Sequence, residues 1–561
     1  MCDGLHQCPQ YDDELFCNLS TCPKNCTCYG LAFTCGGIFR ARLYPHVRYL
    51  SAEGSAITPE LLSENSMLVH LGLASCGLKT LKGFLFPSLR SLDISHNLIT
   101  FISVRHLQGV LNLQVLILTD NPLNTLFPAD PNLTLTLANI EMMDLSRTKL
   151  YAVDLGDFVA FPALHTLNLS YSSATKLYRS DSQSLRNLRV LDLRGFHVTE
   201  FQRDVISKLD DLETVFAQNY QLCCPVVLPS TFNLKNCQAP QDPVSSCDSL
   251  LAFAAHSVSV SVCSCVALLG NVISVIVRVF VVKGSASSGL GVLVTHLTVS
   301  DFLMGMCLAV LAVADRLYSG NYVWKDASWK QSVACQVIGF TALLSSQASS
   351  FLVFLVALDR FVSTFPGLKR LAFRPATAQA ASAVVWVVCV TLASLPLLPA
   401  ASRWEFFSQT ALCIPLPVTT KDSAGHDYTL AVVVVLNLLL VVAVAAGQTC
   451  IFASLRSNQR QSSVVAVTTQ TREMSATRRV FLLCVLNVVC WSPACLMGLL
   501  ASRGSPVADE VRVGVALLAL PINSALRPCL YALGVRGERQ RRGRAERLMA
   551  YIRAQRRLKG M

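Results

Sequence analysis

Arg527 stands in the stretch "INSALRPCLY", inside an otherwise apolar run, four residues past Asn523 and four before Tyr531. The i, i+4 spacing puts Asn523, Arg527 and Tyr531 on one helix face. A second ionisable group, Asp301 in "HLTVSDFLMG", is also surrounded by apolar chain. Both are costly in hydrocarbon without a partner, so each marks a candidate functional position. A third set is Asp93, Asp144 and Asp192, which recur in equivalent sequence slots and could form an acidic column for a basic peptide. Catalysis finds no support. His46, His70, His165 and His197 form no metal-ligand spacing, and no Gly-rich phosphate loop appears, so the chain is not expected to be an enzyme.

The elements that must position these groups differ between the two halves of the chain. Of 561 residues, 52% are hydrophobic and 15% charged, too apolar for an ordinary soluble protein of this length. Residues 1 to about 250 are mixed and polar, whereas residues 252–533 are dominated by Val, Leu, Ala and Ile runs. The formal net charge is +12, and residues 534–561 supply nine Arg and one Lys against two Glu, a local sum of +8. A basic tail that starts where a hydrophobic span ends is expected to face anionic cytoplasmic lipid rather than nucleic acid. Leu548, Tyr551, Ile552 and Leu558 suit an amphipathic helix on that leaflet. Twelve of the 23 cysteines lie between Cys2 and Cys247, which suits disulfide-stapled extracellular modules. The start "MCDGLHQCPQ" has no basic region and no apolar run, so either further sequence is expected upstream, the favoured reading, or the first span directs insertion.

In the polar half, "CDGLHQCPQYDDELFC" resembles the second half of a low-density-lipoprotein receptor class A module. The resemblance implies a Cys2–Cys17 disulfide and calcium ligation by Asp3, Asp13 and Glu14, with Gln7 where an aspartate is expected. The pattern C-x3-C-x-C-x6-C (Cys22, Cys26, Cys28, Cys35) resembles the N-terminal cap of leucine-rich-repeat proteins. Copies of L-x-x-L-x-L-x-x-N-x-L then start at Val47, Leu68, Leu89, Leu113, Ile140, Leu164, Leu188 and Leu212. Each predicts one short strand, and stacking predicts a curved solenoid with a parallel sheet on its inner face. Residues between the buried positions face outward on that side: Glu53, His70, Asp93, Ile117, Asp144, Asn168, Asp192, Arg194 and Phe216. Of these, Glu53, Asp93, Asp144, Asp192 and Phe216 are the candidate ligand contacts. Sequons at Asn18, Asn25, Asn132 and Asn168 fit a secreted compartment. Cys223, Cys224, Cys237 and Cys247 close the array.

In the apolar half, seven stretches near Leu268, Met304, Ser349, Val388, Leu439, Val488 and Ala519 are each long enough to cross the hydrocarbon core. Basic residues in the loops after the first, third and fifth spans (Lys283; Lys369, Arg370, Arg374; Arg456, Arg460, Arg472, Arg478, Arg479) place those loops in the cytoplasm and the repeats outside.

The spans resemble rhodopsin-like G-protein-coupled receptors. The matching residues are Asn271 in "LLGNVISV", Asp301, Asp359 and Arg360 in "ALDRFV", Trp386, Cys490, Trp491 and Pro493 in "CWSP", and "RPCLY" where Asn-Pro-x-x-Tyr is expected. With the repeats and the loop "DRLYSGNYVWKDASWKQSVACQ", the similarity is to relaxin-type leucine-rich-repeat receptors. The resemblance implies a Cys335–Cys413 disulfide. It implies that Arg360 is held to an acidic residue at the foot of the sixth span, here Glu473, and that the kink at Pro493 beside Trp491 swings the cytosolic end. It implies a polar core of Asn271, Asp301, Ser349, Asn523, Ser524 and the Arg527 position. In the family the aspartate binds sodium and asparagine stands where Arg527 is. Arg527 is therefore expected either to replace that ion with a salt bridge to Asp301, or to snorkel to the cytosol from roughly 9 Å inside the helix end. Gln448 also departs from the pattern, standing where Tyr is usual. Activation and coupling fall to Asp359, Arg360, Glu473, Trp491, Pro493 and Tyr531.

The expectation is a multidomain chain, an α/β leucine-rich-repeat solenoid ectodomain followed by an all-α seven-helix transmembrane bundle. Its parts are a partial class A module (1–17), repeat cap (18–46), repeats (47–222), Cys-rich cap and hinge (223–251), receptor bundle (252–533) and basic cytoplasmic tail (534–561). By resemblance it is a multi-pass plasma-membrane receptor for an extracellular peptide or protein hormone, relaxin- or insulin-like. The solenoid captures the hormone and the N-terminal module triggers a heterotrimeric G protein and cyclic AMP. Membrane lipids are further partners, nucleic acid is not, and calcium in the partial module is the one cofactor considered. The alternative is a non-signalling adhesion or ligand-sequestering protein on the same scaffold.

Overall fold

The computed structural model describes residues 22–36, 44–55, 62, 65–81, 85–127, 135–180, 184–196, 200–281, 288–404, 406–414, 425–458, 467–505, 507–519 and 521–530. The expectations at Cys2, Cys17, Asp3, Asp13, Glu14, Asn18, Asn132, Tyr531 and residues 534–561 lie outside these, as does the side chain of Glu473. The chain divides into two compact units, Met1–Asp242 and Pro243–Met561.

The first unit is a solenoid. A cap hairpin, β1 (Cys26–Tyr29) and β2 (Ala32–Cys35), carries the disulfides Cys22–Cys28 and Cys26–Cys35. It covers the first repeat, whose apolar edge has no preceding neighbour. Eight repeat strands follow in parallel: β3 (Tyr49–Ser51), β4 (His70–Gly72), β5 (Ser91–Asp93), β6 (Val115–Ile117), β7 (Met142–Asp144), β8 (Thr166–Asn168), β9 (Val190–Leu193) and β10 (Thr214–Ala217). A last strand, β11 (Cys237–Gln238), ends the 11-stranded sheet and is tied back by Cys223–Cys237. The central strand leucines, such as Leu50, Leu71, Leu92, Leu116, Leu167 and Leu191, are fully buried.

The asparagine slot of the repeat has a clear physical job. Asn97 donates to the carbonyls of Leu73 and Ile94 and accepts from Leu78 N–H. Asn121 repeats this with Ile94, Leu118 and Ile99. Each turn between strands carries buried backbone groups that need partners, and a short amide with two donors and an acceptor satisfies several at once. Cys76 occupies the same slot and points its thiol to the Ala52 carbonyl at 3.1 Å.

The second unit is the helical bundle. Among the described residues, seven helices are long and apolar enough to cross a membrane: α1 (Ala254–Ile276), α2 (Gly289–Tyr318), α3 (Val333–Thr364), α4 (Pro375–Leu397), α5 (His426–Ser454), α6 (Val480–Ser502) and α7 (Glu510–Leu530). They coincide with the seven expected stretches. α3 is the central span, packed against α2, α4, α5 and α6. Residues 243–251, expected in the Cys-rich cap, belong to this unit. Val244, Leu250 and Leu251 are buried in one apolar cluster with Leu308, Tyr322, Trp329 and Leu517. Asp315 fixes that segment by accepting from Leu251 N–H and Ser257 Oγ.

Candidate functional site

The polar core expected from sequence forms inside the bundle. Arg527 on α7 is fully buried, and its Nη1 lies 2.7 Å from Asp301 Oδ1 on α2, itself fully buried. The same nitrogen donates to Ser349 Oγ on α3. The guanidinium therefore points into the bundle, and the snorkelling alternative does not hold. Nη2 donates to Asn487 Oδ1 on α6 at 3.2 Å, and Asn523 Nδ2 donates to the same oxygen at 3.2 Å. One planar fork thus binds three helices besides its own, which an ammonium point charge could not do as specifically.

The chain around Arg527 explains how it arrives there. Pro528 has no N–H, so the carbonyl of Ser524, four residues earlier, loses its helical donor. Asn271 Nδ2 on α1 donates to that carbonyl at 3.3 Å. A Cβ added to Gly270 would come within 2.7 Å of the Pro528 ring, so glycine is what lets α7 sit this close to α1. Ser524 thus offers its carbonyl to Asn271, and its side chain also hydrogen-bonds Asp301. Pro493 does the same on α6, where the Ser492 hydroxyl donates to the Val489 carbonyl. Trp491 is buried in the main apolar cluster of the bundle, one turn above Asn487.

At the other end of α3, Arg360 pairs with its own neighbour Asp359 through Nε and Nη2. Asp359 is buried, and its Oδ1 accepts from the backbone N–H of Phe373. The carboxylate thus holds both Arg360 and the loop before α4. Gln448 on α5 is buried and donates to Cys484 Sγ on α6 at 3.4 Å. The disulfide Cys335–Cys413 ties α3 to the loop before α5.

On the solenoid, strand register places Ser51, Gly72, Asp93, Ile117, Asp144, Asn168, Asp192 and Phe216 in one lane. Asp93, Asp144 and Asp192 are alternate rungs, about 10 Å apart at the usual strand spacing. Glu53 stands in the turn after β3, off this lane, and His70 lies in the neighbouring lane opposite Tyr49 and Ser91. Tyr49 and His70 stack face to face at 4.2 Å, and burial lowers the pKa of His70 against the opposing pull of Asp93.

The three aspartates share a structural task. Each accepts the backbone N–H two residues on, from Ser95, Ser146 and Arg194. They differ in what else they hold. Asp192 is bound by the Arg194 guanidinium, which also lies 5.0 Å above the Phe216 ring. Asp144 Oδ2 accepts from Asn168 Nδ2 at 2.9 Å, so the amide of that sequon is already a rung of the lane. Asn25 is exposed in the cap. The acidity of the lane is therefore concentrated at Asp93 and Asp144.

Asn487 was not among the residues expected from sequence. Its signal was one asparagine within the apolar run "FLLCVLNVVCW", a polar group that is costly there without a partner, though less so than an acid.

Residues 270–531 match the 7 transmembrane receptor (rhodopsin family) model. The chain is 31% identical over 328 residues to G-protein coupled receptor GRL101 of Lymnaea stagnalis, covering 58% of this chain and 28% of that protein. It is 25% identical over 332 residues to Relaxin receptor 1 of Rattus norvegicus, covering 58% and 42%. With Leucine-rich repeat-containing G-protein coupled receptor 5 of Rattus norvegicus it shares 26% over 448 residues, covering 79% and 44%. The chain thus spans less than half the length of these relatives. Seven crossings and this kinship make it a multi-pass plasma-membrane protein with an extracellular N-terminal ectodomain. Residues 270–531 are thus a rhodopsin-family seven-transmembrane receptor domain, carried on a chain whose first unit is a leucine-rich-repeat solenoid.

Proposed function

We propose that this chain is a cell-surface receptor for a protein or peptide hormone of the relaxin and insulin-like class, and that it passes the binding event to a heterotrimeric G protein and raises cyclic AMP. The observation that carries the reading is the acidic lane of Asp93 and Asp144 on the same chain as a rhodopsin-family bundle. Two carboxylates about 10 Å apart with Ile117 between them suit a ligand strand or helix bearing spaced cations around an apolar residue. The hormone must bind the active packing more tightly than the resting one, since only differential affinity shifts the equilibrium. Kinship with the relaxin receptors supports the ligand class.

The test expresses the chain on cultured cells and screens insulin/relaxin-like peptides with cyclic AMP and calcium reporters. A response that Asp93→Lys and Asp144→Lys shift to higher hormone concentration supports the proposal. Surface protein that binds none of these peptides sinks it.

A second reading, ligand capture without signalling, is favoured by one observation: the Arg527 guanidinium pins α7 to α2, α3 and α6. Saturable hormone binding with silent reporters would select it.

A further inference from the structure

The two departures from the receptor pattern, Arg527 on α7 and Gln448 on α5, converge on one face of α6. Arg527 Nη2 reaches Asn487 Oδ1 at 3.2 Å, and Gln448 Nε2 reaches Cys484 Sγ at 3.4 Å. Cys484 and Asn487 are three residues apart, so they sit one above the other on the inward side of the helix. Asn487 is buried, as are Cys484, Gln448, Asn523 and Arg527.

We infer that Asn487 is a positioning residue that latches α6 in the closed packing, with Gln448–Cys484 as a weaker second catch. The argument is one of unequal costs. Arg527 keeps its charge partner Asp301 and its bond to Ser349 wherever α6 stands, because those lie on α2 and α3. Asn487 has no such independence. If α6 rotates or swings out about the Pro493 kink, Asn487 Oδ1 leaves both the guanidinium and Asn523 Nδ2. Two buried donors then lose one shared acceptor in a medium that offers no water, and a hydrogen bond from a charged donor is the strong kind. The ion pair is therefore the fixed anchor, and Asn487 is the part that must let go. This inference rests on the receptor reading for its signalling consequence, but the latch itself is a statement about packing.

The experiment uses the full chain in lipid nanodiscs, with a spin-label pair on the cytosolic ends of α3 and α6. The distance distribution is read for the parent, Asn487→Leu, Asn487→Asp and Gln448→Leu, and nucleotide exchange without hormone is measured on a panel of heterotrimeric G proteins. Asn487→Leu should enlarge the open α6 population and basal exchange by on the order of tenfold, the effect of one charge-assisted hydrogen bond on a two-state equilibrium. Asn487→Asp keeps an acceptor toward Arg527 and should reduce both. Gln448→Leu should move both in the direction of Asn487→Leu, by less. Should Asn487→Leu fail to fold, Gln448→Leu tests the same latch from its other contact. An unchanged α3–α6 distribution in the folded Asn487→Leu or Gln448→Leu protein overturns the latch. A shifted distribution with no exchange on any G protein upholds the latch and overturns the signalling reading instead.

Discussion

Arg527 Nη1 lies 2.7 Å from Asp301 Oδ1, and neither side chain is exposed. Two charges taken out of water must repay their desolvation with close geometry and further hydrogen bonds, and Ser349 and Asn487 supply those. The arrangement ties the second, third and sixth spans to the seventh through one side chain.

Removing one partner should be costly. Arg527→Leu leaves Asp301 as an unpaired buried acid, with an expected loss of about 3–5 kcal/mol. The thermal-unfolding midpoint of the solubilised chain reads it. Adding Asp301→Asn should recover most of the loss, and a single variant as stable as the parent would remove the pair from the account.

Replacing the cation by the amide expected at that position should change ion response. Arg527→Asn frees the Asp301 carboxylate for an external cation. Sodium should then raise the midpoint of this variant and leave the parent unmoved, or hormone-driven signalling should rise. A variant that matches the parent in both assays would refute the replacement of sodium by Arg527.

Asp359 holds both Arg360 and Phe373 N–H. Asp359→Asn keeps an acceptor for the amide but loses the charge, so Arg360 becomes free to leave. Basal nucleotide exchange should increase several-fold at equal surface expression, whereas Arg360→Ala should abolish exchange.

In the acidic lane, Asp144→Asn should weaken binding of a basic peptide hormone by roughly tenfold, about 1.4 kcal/mol. Arg194→Ala should strengthen it, because Asp192 would lose its internal cation. A hormone whose affinity ignores both changes does not use this lane.

Burial, with the Asp154 charge beside it, pushes the Asp157 carboxyl up to about 6. A raised carboxyl pKa means the folded solenoid holds the proton more tightly than the unfolded chain does. Stability is then lost as pH rises from about 4 to about 6, and the loss is complete above that window. Asp157→Asn should therefore stabilise the repeats at pH 7.5 by roughly 1 kcal/mol, discounted for the water around a half-buried group, and by little at pH 4. Hydrogen exchange of the repeat amides measures the difference.

Much was legible along the chain. The solenoid came from a local period, since each repeat strand begins two residues after the expected start, from Tyr49 after Val47 to Thr214 after Leu212. The seven spans came from hydrocarbon thickness and side-chain composition alone. The cysteines of the cap and the Cys335–Cys413 pair also sit as their spacing and resemblance implied. Lane positions were less secure. Glu53 is expected among the outward-facing residues, yet it stands two residues past the slot that Ser51 and Gly72 share with Asp93.

What the sequence by itself determined is periodic or covalent: which residues are buried in a repeat, which segments cross lipid, and where a charge stands in apolar chain. Each depends on neighbours within a turn or a strand. Only the tertiary structure decided which partners those charges take. Asp192 is neutralised by Arg194, Asp359 pairs with Arg360 beside it, and Asn487 receives Arg527 from forty residues away. A buried ion or amide selects its partner by distance and angle in a low-dielectric interior, and those are fixed only when separate helices pack.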